Sequence, residues 1–433
     1  MASDAAAELA ASWGPPPSTG KAVWLRSRVI DAIQTGRLLP GEALPGARDL
    51  AAALGVARGT ADTVYAQLLD EGFIRSRPRR RPVVAGGVGA GAPALTPAVS
   101  SAPPPTPGVP DSALFPHRAW AAASRAAQAG LSAADLGYPD PAGHPRLRTR
   151  LAEWLSRTRG VAATPDQVHV TAGVSHALWL LTATLAAESW AVEQPCSPGT
   201  THHLNHRPVG VDPVPIDDDG IDPALIPASS GVVLLTPSHQ YPTGVQLSAP
   251  RRRALVDACR VAGRWIVEDD YDSHLAAPGV VPAAVQALAP ELVILTGSLS
   301  KLLAPGLRMG WIVAPPAVAA QLRQQRQESD LGVSTVLQLT VAELISSGGL
   351  DRHLRRARRE YDRRRELLTG RVAQLGYHVA GAPVGVHAFA RTDGPDHRPG
   401  SALMREMANA GVPAVAVDDD RHSGVVISVA AAR

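Results

Sequence analysis

Lysine is nearly missing from this sequence of 433 residues. Of its 42 Lys and Arg side chains, only Lys21 and Lys301 are lysine and the remaining 40 are arginine. Cysteine is as scarce: Cys196 and Cys259 cannot make a disulfide framework, which argues against a disulfide-stapled secreted domain and for a reducing compartment. No apolar run reaches the roughly 18 residues of a membrane helix. The opening MASDAAAELAASWGPPPSTG has no basic stretch ahead of an apolar core, so it does not read as a signal peptide. A cytoplasmic protein without a membrane partner is therefore expected. Charged residues make up only 19% against 45% apolar ones, a globular balance, and the length calls for more than one core.

The small positive excess is unevenly placed. Residues 21–84 carry 11 positive and 6 negative side chains, residues 1–20 carry two negative ones, and the rest of the chain balances at zero. Confinement of the excess to one short segment is what a nucleic-acid-binding module requires. Composition marks its end. GGVGAGAPALTPAVSSAPPPTPGVP, residues 86–110, has no apolar periodicity and reads as linker, stiffened in part by proline. The expected organisation is a disordered tail over 1–20, a small basic domain over 21–85, a Pro/Gly/Ala-rich linker over 86–111 and a large domain over 112–433. In the large domain the β-rich runs VHVTAG, GVVLLTP, RWIVEDDY and LVILTGS alternate with Ala- and Leu-rich stretches. That alternation predicts a doubly wound α/β domain with a largely parallel sheet.

In the basic domain, Leu25, Val29, Ile30 and Ile33 fall on one helical face, with Gly36 as the stop. ARDLAAALGVARGTADTVYAQLLDEGF then reads as helix, turn at Gly55 and helix, with Leu50, Leu54, Val64 and Leu68 inward. GFIRSRPRRRPVVA adds two short β-like runs around an arginine-rich tip. The pattern resembles the winged helix-turn-helix, an α+β fold, of the GntR family over about 65 residues. The resemblance implies a double-stranded DNA operator as partner, with Arg48, Arg58 and Thr60 reaching phosphates or base edges. Gly59 and Ala61 are smaller than is usual there. The wing carries Arg77, Arg79, Arg80 and Arg81 in place of a glycine-threonine tip, which predicts more nonspecific phosphate attraction.

Lys301 lies in LTGSLSKLLAPGLRMGW, residues 295–311. A primary amine condenses with an aldehyde to a Schiff base and a guanidinium does not, so a lysine retained among arginines points to that chemistry. Ser298 and Arg308 flank it as a hydroxyl and a cation suited to phosphate. In IVEDDYDSH, residues 266–274, strand alternation puts Asp269 and Tyr271 on one face and Asp270 on the other. HVTAGVSHAL, residues 169–178, reads as strand, tight turn and helix start, where free N–H groups favour phosphate.

These segments, with YPDPAGHPRLRTRLAEWL and TPSHQYPTG, resemble the fold-type I aminotransferases from about 112 to 433. The winged helix joined by a long linker to such a domain resembles the MocR subfamily of GntR-type regulators. That likeness implies pyridoxal 5'-phosphate (PLP) as cofactor, held by Lys301 as the Schiff-base lysine, by Asp269 at the ring nitrogen and by Tyr271 at the 3' oxygen. It further implies phosphate contacts from Ser298, Arg308, Val174 and Ser175, and places Tyr241 before PTG, where this subfamily has an aromatic. Tyr138 matches the tyrosine that contacts the cofactor phosphate of a neighbouring subunit, which implies a homodimer.

Two positions depart from the pattern. Ser197, in VEQPCSPGT, stands where a tyrosine stacks on the ring, and Val426, in GVVISVAAAR, stands where aminotransferases keep a substrate-clamping arginine. The implied function is a transcriptional regulator that senses PLP, an amine or an amino acid at Lys301. An active aminotransferase with a DNA-binding domain, and a regulator with a vestigial pocket, remain alternatives. His202, His203 and His206 in THHLNH lack an acidic or cysteine partner and read as a surface loop with no metal. Cys196 reads as a small filler. The arginines of DRHLRRARREYDRRRELL read as a solvated helix face.

Overall fold

The structure is a computed structural model, and it describes residues 2–76, 81–86, 107–392, 398–419 and 422–432. The chain divides into two compact units, Met1–Ala102 and Pro103–Arg433. Among the described residues no helix is long and apolar enough to cross a membrane.

In the first unit, helices Lys21–Gln34, Ala47–Leu54 and Arg58–Asp70 precede a ribbon that pairs Ile74 with Val84 and Arg75 with Val83. Leu25, Val29, Ile33, Leu50, Leu54, Val64 and Leu68 close one core, with Ile30 at its edge. The turn between the second and third of these helices passes through Gly55 at φ 64°, a left-handed conformation that suits a residue without Cβ. Ala61 is small because it is fully buried in that core, whereas Gly59 faces solvent. The segment expected to be a disordered tail instead forms the helix Ala2–Trp13, packed on Ala47–Leu54. Alanine favours helix, and Trp13 has a core to enter, where it is buried. Of the wing arginines, Arg81 is exposed, and Arg77, Arg79 and Arg80 lie outside the described residues.

The second unit is built on an eight-stranded sheet. Its order is Val168–Thr171, Gly310–Val313, Val293–Ser298, Trp265–Asp269, Ser230–Leu235, Ser189–Gln194, Gly210–Asp217 and Gly220–Ile221. The strands from Val293–Ser298 to Gly210–Asp217 pair in parallel, and Gly310–Val313 runs antiparallel to both its neighbours. Alternate residues feed separate cores on the two faces. Val232, Leu234 and Val267 pack with helix residues Leu178 and Leu181, while Val233 and Ile266 pack with Leu255 and Cys259. Burial on both faces explains why these strands read as continuous apolar runs. A second sheet, ordered His378–Ala380, His387–Arg391, Ser423–Ser428 and Ala414–Asp418, is wholly antiparallel. In the parallel part of the large sheet, the loops leaving the strands' C-terminal ends gather at one edge, where such folds place their ligands.

Candidate functional site

A cleft of about 330 Å³ opens among those loops. Helix Val174–Thr184 starts at one end of it. Its N-cap Gly173 has φ 98° and offers no side-chain cap, so first-turn N–H groups of Val174 and Ser175 remain open to a ligand. A Cβ on Gly173 would stand 3.2 Å from an Nη of Arg308, so the glycine lets the guanidinium close over the helix start. Arg308 itself sits in the left-handed region, at φ 47°. Ser298, Ser300 and Lys301 come from the end of strand Val293–Ser298 and the turn after it. The Ser300 N–H donates to Ser298 Oγ over 3.3 Å. Together these groups form a cup of donors suited to an anion.

Asp269 stands elsewhere on the cleft wall, at the end of Trp265–Asp269. It accepts from Thr296 Oγ1 at 3.2 Å, and burial pushes its pKa up to about 7. Asp270 points the other way, as strand alternation requires, and meets the Arg159 Nε at 2.7 Å. Burial alone would raise the pKa of Asp270, but the Arg159 guanidinium and its neighbours hold it below the ordinary value. Tyr271 returns to the cleft, its hydroxyl donating to the His239 carbonyl at 2.7 Å. Burial lowers the Lys301 pKa, against the pull of Asp272 and Asp269. The cleft thus brings together Lys301, Asp269, Tyr271, Ser298, Arg308, Val174, Ser175 and Tyr241. Tyr138 is not among its lining and is 90% exposed.

Ser197 does line the cleft, as the N-cap of helix Pro198–Asn205. That helix corrects the expectation of a surface loop at THHLNH. His202 and His206 are exposed, their rings 4.3 Å apart and tilted by 41°, while His203 turns into the cleft beside Ser175 and Arg308. Cys196 approaches Thr201 Oγ1 at 2.9 Å, and burial raises its pKa. Val426 is buried in the small sheet opposite Phe389 and Val415 and does not line the cleft. The arginine-rich helix, Gly349–Gln374, is only partly a solvated face. Arg364 and Arg365 are buried, the first against Asp111 and Glu360, the second donating to the carbonyls of Gly385 and His387.

Local spacing did not reveal several members of the site. Glu193 is buried at the cleft and accepts from the N–H and hydroxyl of Thr236, and burial raises its pKa to about 7. His239, Asp272 and His387 form a fully buried group whose ligating atoms lie within 4.8 Å. The two imidazoles stack at 4.4 Å and 25°, so their in-plane lone pairs run side by side rather than converging on one ion. His239 and Asp272 both fall inside the motifs TPSHQYPTG and EDDYDSH, but they pair across 33 residues.

The donor set fits PLP. The cup suits its phosphate, the desolvated Asp269 has no salt-bridge partner among the described residues and suits a protonated ring nitrogen, and the one amine of this unit lies in the same cleft.

Comparison with known proteins agrees with this layout. Residues 25–84 match the family of bacterial regulatory proteins called gntR, and residues 110–419 match aminotransferase class I and II. The chain is 33% identical over 402 residues to the HTH-type pyridoxine biosynthesis transcriptional regulator PdxR of Corynebacterium glutamicum, covering 90% of this chain and 87% of that one. It is 34% identical over 378 residues to the probable rhizopine catabolism regulatory protein MocR of Rhizobium meliloti, covering 80% and 76%. An archaeal alanine:glyoxylate aminotransferase superposes with TM-score 0.67 at 22% identity, over 75% of this chain and 85% of its own, which establishes the fold. A gntR unit followed by an aminotransferase unit, in the same order as relatives that match most of its length, means that the chain belongs to the MocR-type GntR transcriptional regulators.

Proposed function

We propose that this DNA-binding regulator carries PLP on Lys301 and senses PLP itself or an amino compound in the cleft. The observation that carries the reading is the position of the only lysine beyond residue 21, in one cleft with an anion cup and a buried carboxylate. PLP supplies an aldehyde that condenses with primary amines and a ring that withdraws electrons. Val174, Ser175, Ser298 and Arg308 bind its phosphate and set its depth. Asp269 keeps a proton on the ring nitrogen, because its buried charge is stabilised only by a cationic neighbour. Lys301 is held at a lowered pKa by burial, which raises the share of neutral, nucleophilic amine. Tyr271, tethered at His239, would face the 3' oxygen, and Tyr241 lines the same cleft.

The exposure of Tyr138 supports a homodimer in which it reaches the partner's cleft. Arg48 and Arg58, exposed on successive helices, with Thr60 and the wing arginines Arg77, Arg79, Arg80 and Arg81, contact the operator. The setting is cytoplasmic. Sensing is favoured over turnover because Arg308, on the phosphate side, is the only arginine among the described lining residues and Val426 is buried elsewhere. The relative named for pyridoxine biosynthesis makes PLP a natural first effector to try.

The test is the absorption spectrum of the protein with added PLP, beside Lys301→Ala, before and after borohydride. A visible band that borohydride removes, and that the variant lacks, is the expected result. Its absence in wild type would leave a DNA-binding protein with a vestigial pocket. Release of keto acid from added amino acids would favour an active aminotransferase.

A further inference from the structure

Helix Pro198–Asn205 turns one face to the cofactor cleft. Cys196 and Ser197 at its start, Gly199 and Thr200 in its first turn and His203 near its end all line the cavity. They follow the three- and four-residue steps that bring side chains to one side of a helix. The first four are small. A Cβ added to Gly199 would meet only Ser197 Oγ within 4 Å, at 3.6 Å, so the space over that turn is open. His203 is therefore the one ring that this helix puts into the cleft, and it enters where Ser175 and Arg308 also stand.

The imidazole of His203 has no hydrogen bond among the described residues, while its neighbours in sequence are engaged with each other. His206 Nδ1 lies 2.8 Å from the His202 carbonyl, and His203 meets His202 only edge-on, with ring centroids 5.8 Å apart. The titratable and charged groups around it are Arg308 on the cleft wall, His176 and Arg207 in an adjoining cavity of about 250 Å³, and His202 and His206 beside it in sequence. No carboxylate is among them, and His176 is already paired with Asp330 at 3.1 Å. The carboxylates that do line the cleft, Glu193 and Asp269, are bonded to Thr236 and Thr296. Burial first, then His202, Arg308 and His206, hold the His203 pKa below its ordinary value. A ring with a free donor, set among cationic groups, lacks the counter-charge that an anion would bring.

We propose that His203 is a further phosphate-binding residue of the cleft, its ring N–H closing the donor cup from helix Pro198–Asn205. The proposal rests on the reading that PLP occupies the cleft. A phosphate monoester presents three strong acceptor oxygens, so the helix start, Ser298 and Arg308 leave acceptor capacity for another donor. Arg308 cannot supply this contact alone, since its guanidinium closes over the helix start at Gly173. His203 comes from a different element, and so adds a grip that offsets in part the ring contact Ser197 is too small to make.

The full chain, freed of cofactor, is titrated with PLP and separately with pyridoxal, which has the same aldehyde and ring but no phosphate. The band that borohydride removes reports both. His203→Leu keeps bulk and loses the donor, whereas His203→Gln keeps an amide donor. Loss of one hydrogen bond to a charged group should weaken PLP about tenfold in His203→Leu and leave pyridoxal within about twofold of wild type. His203→Gln should recover PLP affinity to within about threefold of wild type. Equal losses for PLP and pyridoxal would mean that His203 packs on the ring or shapes the cleft, and would overturn the inference. So would a PLP affinity that neither substitution changes. Both of those outcomes leave the PLP reading standing, because wild type still forms the band. A wild type that forms no band with PLP removes that reading and this inference with it.

Discussion

In the N-terminal unit Arg48, Arg58 and Arg81 hold their guanidinium groups in solvent, whereas in the larger unit Arg159, Arg252, Arg326, Arg364 and Arg365 are buried. The buried ones staple the loops around the cleft. Arg252 alone donates to the carbonyls of Leu247, Ala283 and Pro237, each at 2.9 Å. Arg159 joins Asp270, Ser238 and the Pro282 carbonyl, each at 2.7 Å. Arg326 reaches the Val170 carbonyl, on the strand that leads to Gly173. A planar fork with five donors can tie three segments at once, which an ammonium on a flexible stem does poorly. The same side chain is therefore an internal crosslink in one unit and an exposed cation in the other. The charge totals carry the difference: the larger unit matches its arginines with carboxylates, and the smaller keeps its excess for a polyanion.

Breaking a buried staple should have the largest effect. Arg159→Ala leaves Asp270 charged and unpaired in the interior, and unfolding by urea should reveal a loss of about 3–5 kcal/mol. A loss below about 1 kcal/mol would mean that water reaches the site and the contrast is overstated. Arg58→Ala should do the reverse. Its partner Asp62, at 3.4 Å, is exposed, so the melting temperature should hold while operator affinity falls by about 1–3 kcal/mol in anisotropy titrations. A variant that melts early but still binds DNA would place Arg58 among the staples.

A subtler test uses Asp269, which has no arginine to neutralise it among the described residues. Its pKa rises from 3.8 to about 7 on folding, so the folded chain holds the proton more tightly than the unfolded one. Without PLP, wild type should lose stability as pH rises from about 4 to about 7, with no further loss above. Asp269→Asn lacks that loss, and melting curves across the range should show the gap widen by a few kcal/mol, about 1.4 for each pH unit between the two pKa values. PLP should close the gap in wild type only. The smallest effect belongs to Arg363→Ala, on the solvated face, where loss of the exposed pair with Glu360 at 2.7 Å should leave the melting temperature within error of wild type.

Much of this was legible in residue spacing. The 3.6-residue period at Leu25, Val29 and Ile33, the turn at Gly55, the strand runs and the alternation of Asp269 with Asp270 all reappear in the fold. Short helices were less legible. Pro198–Asn205 buries only Leu204, so no apolar period distinguishes it from a loop or turns His203 inward. The N-terminal helix draws its stability from packing on Ala47–Leu54, which an alanine-rich stretch does not announce.

By itself, the sequence determined the order of the two units, the confinement of positive charge to the first, and the placing of the larger unit's one lysine, Lys301, close to Ser298 and Arg308. Each of these depends on residue type or on neighbours a few positions away. Tertiary structure alone decided which arginines are internal, that His239 pairs with Asp272, that Val426 lies outside the cleft and that His203 lies within it. Burial and pairing are properties of segments brought together from distant parts of the chain, and local spacing holds no record of which segment will arrive.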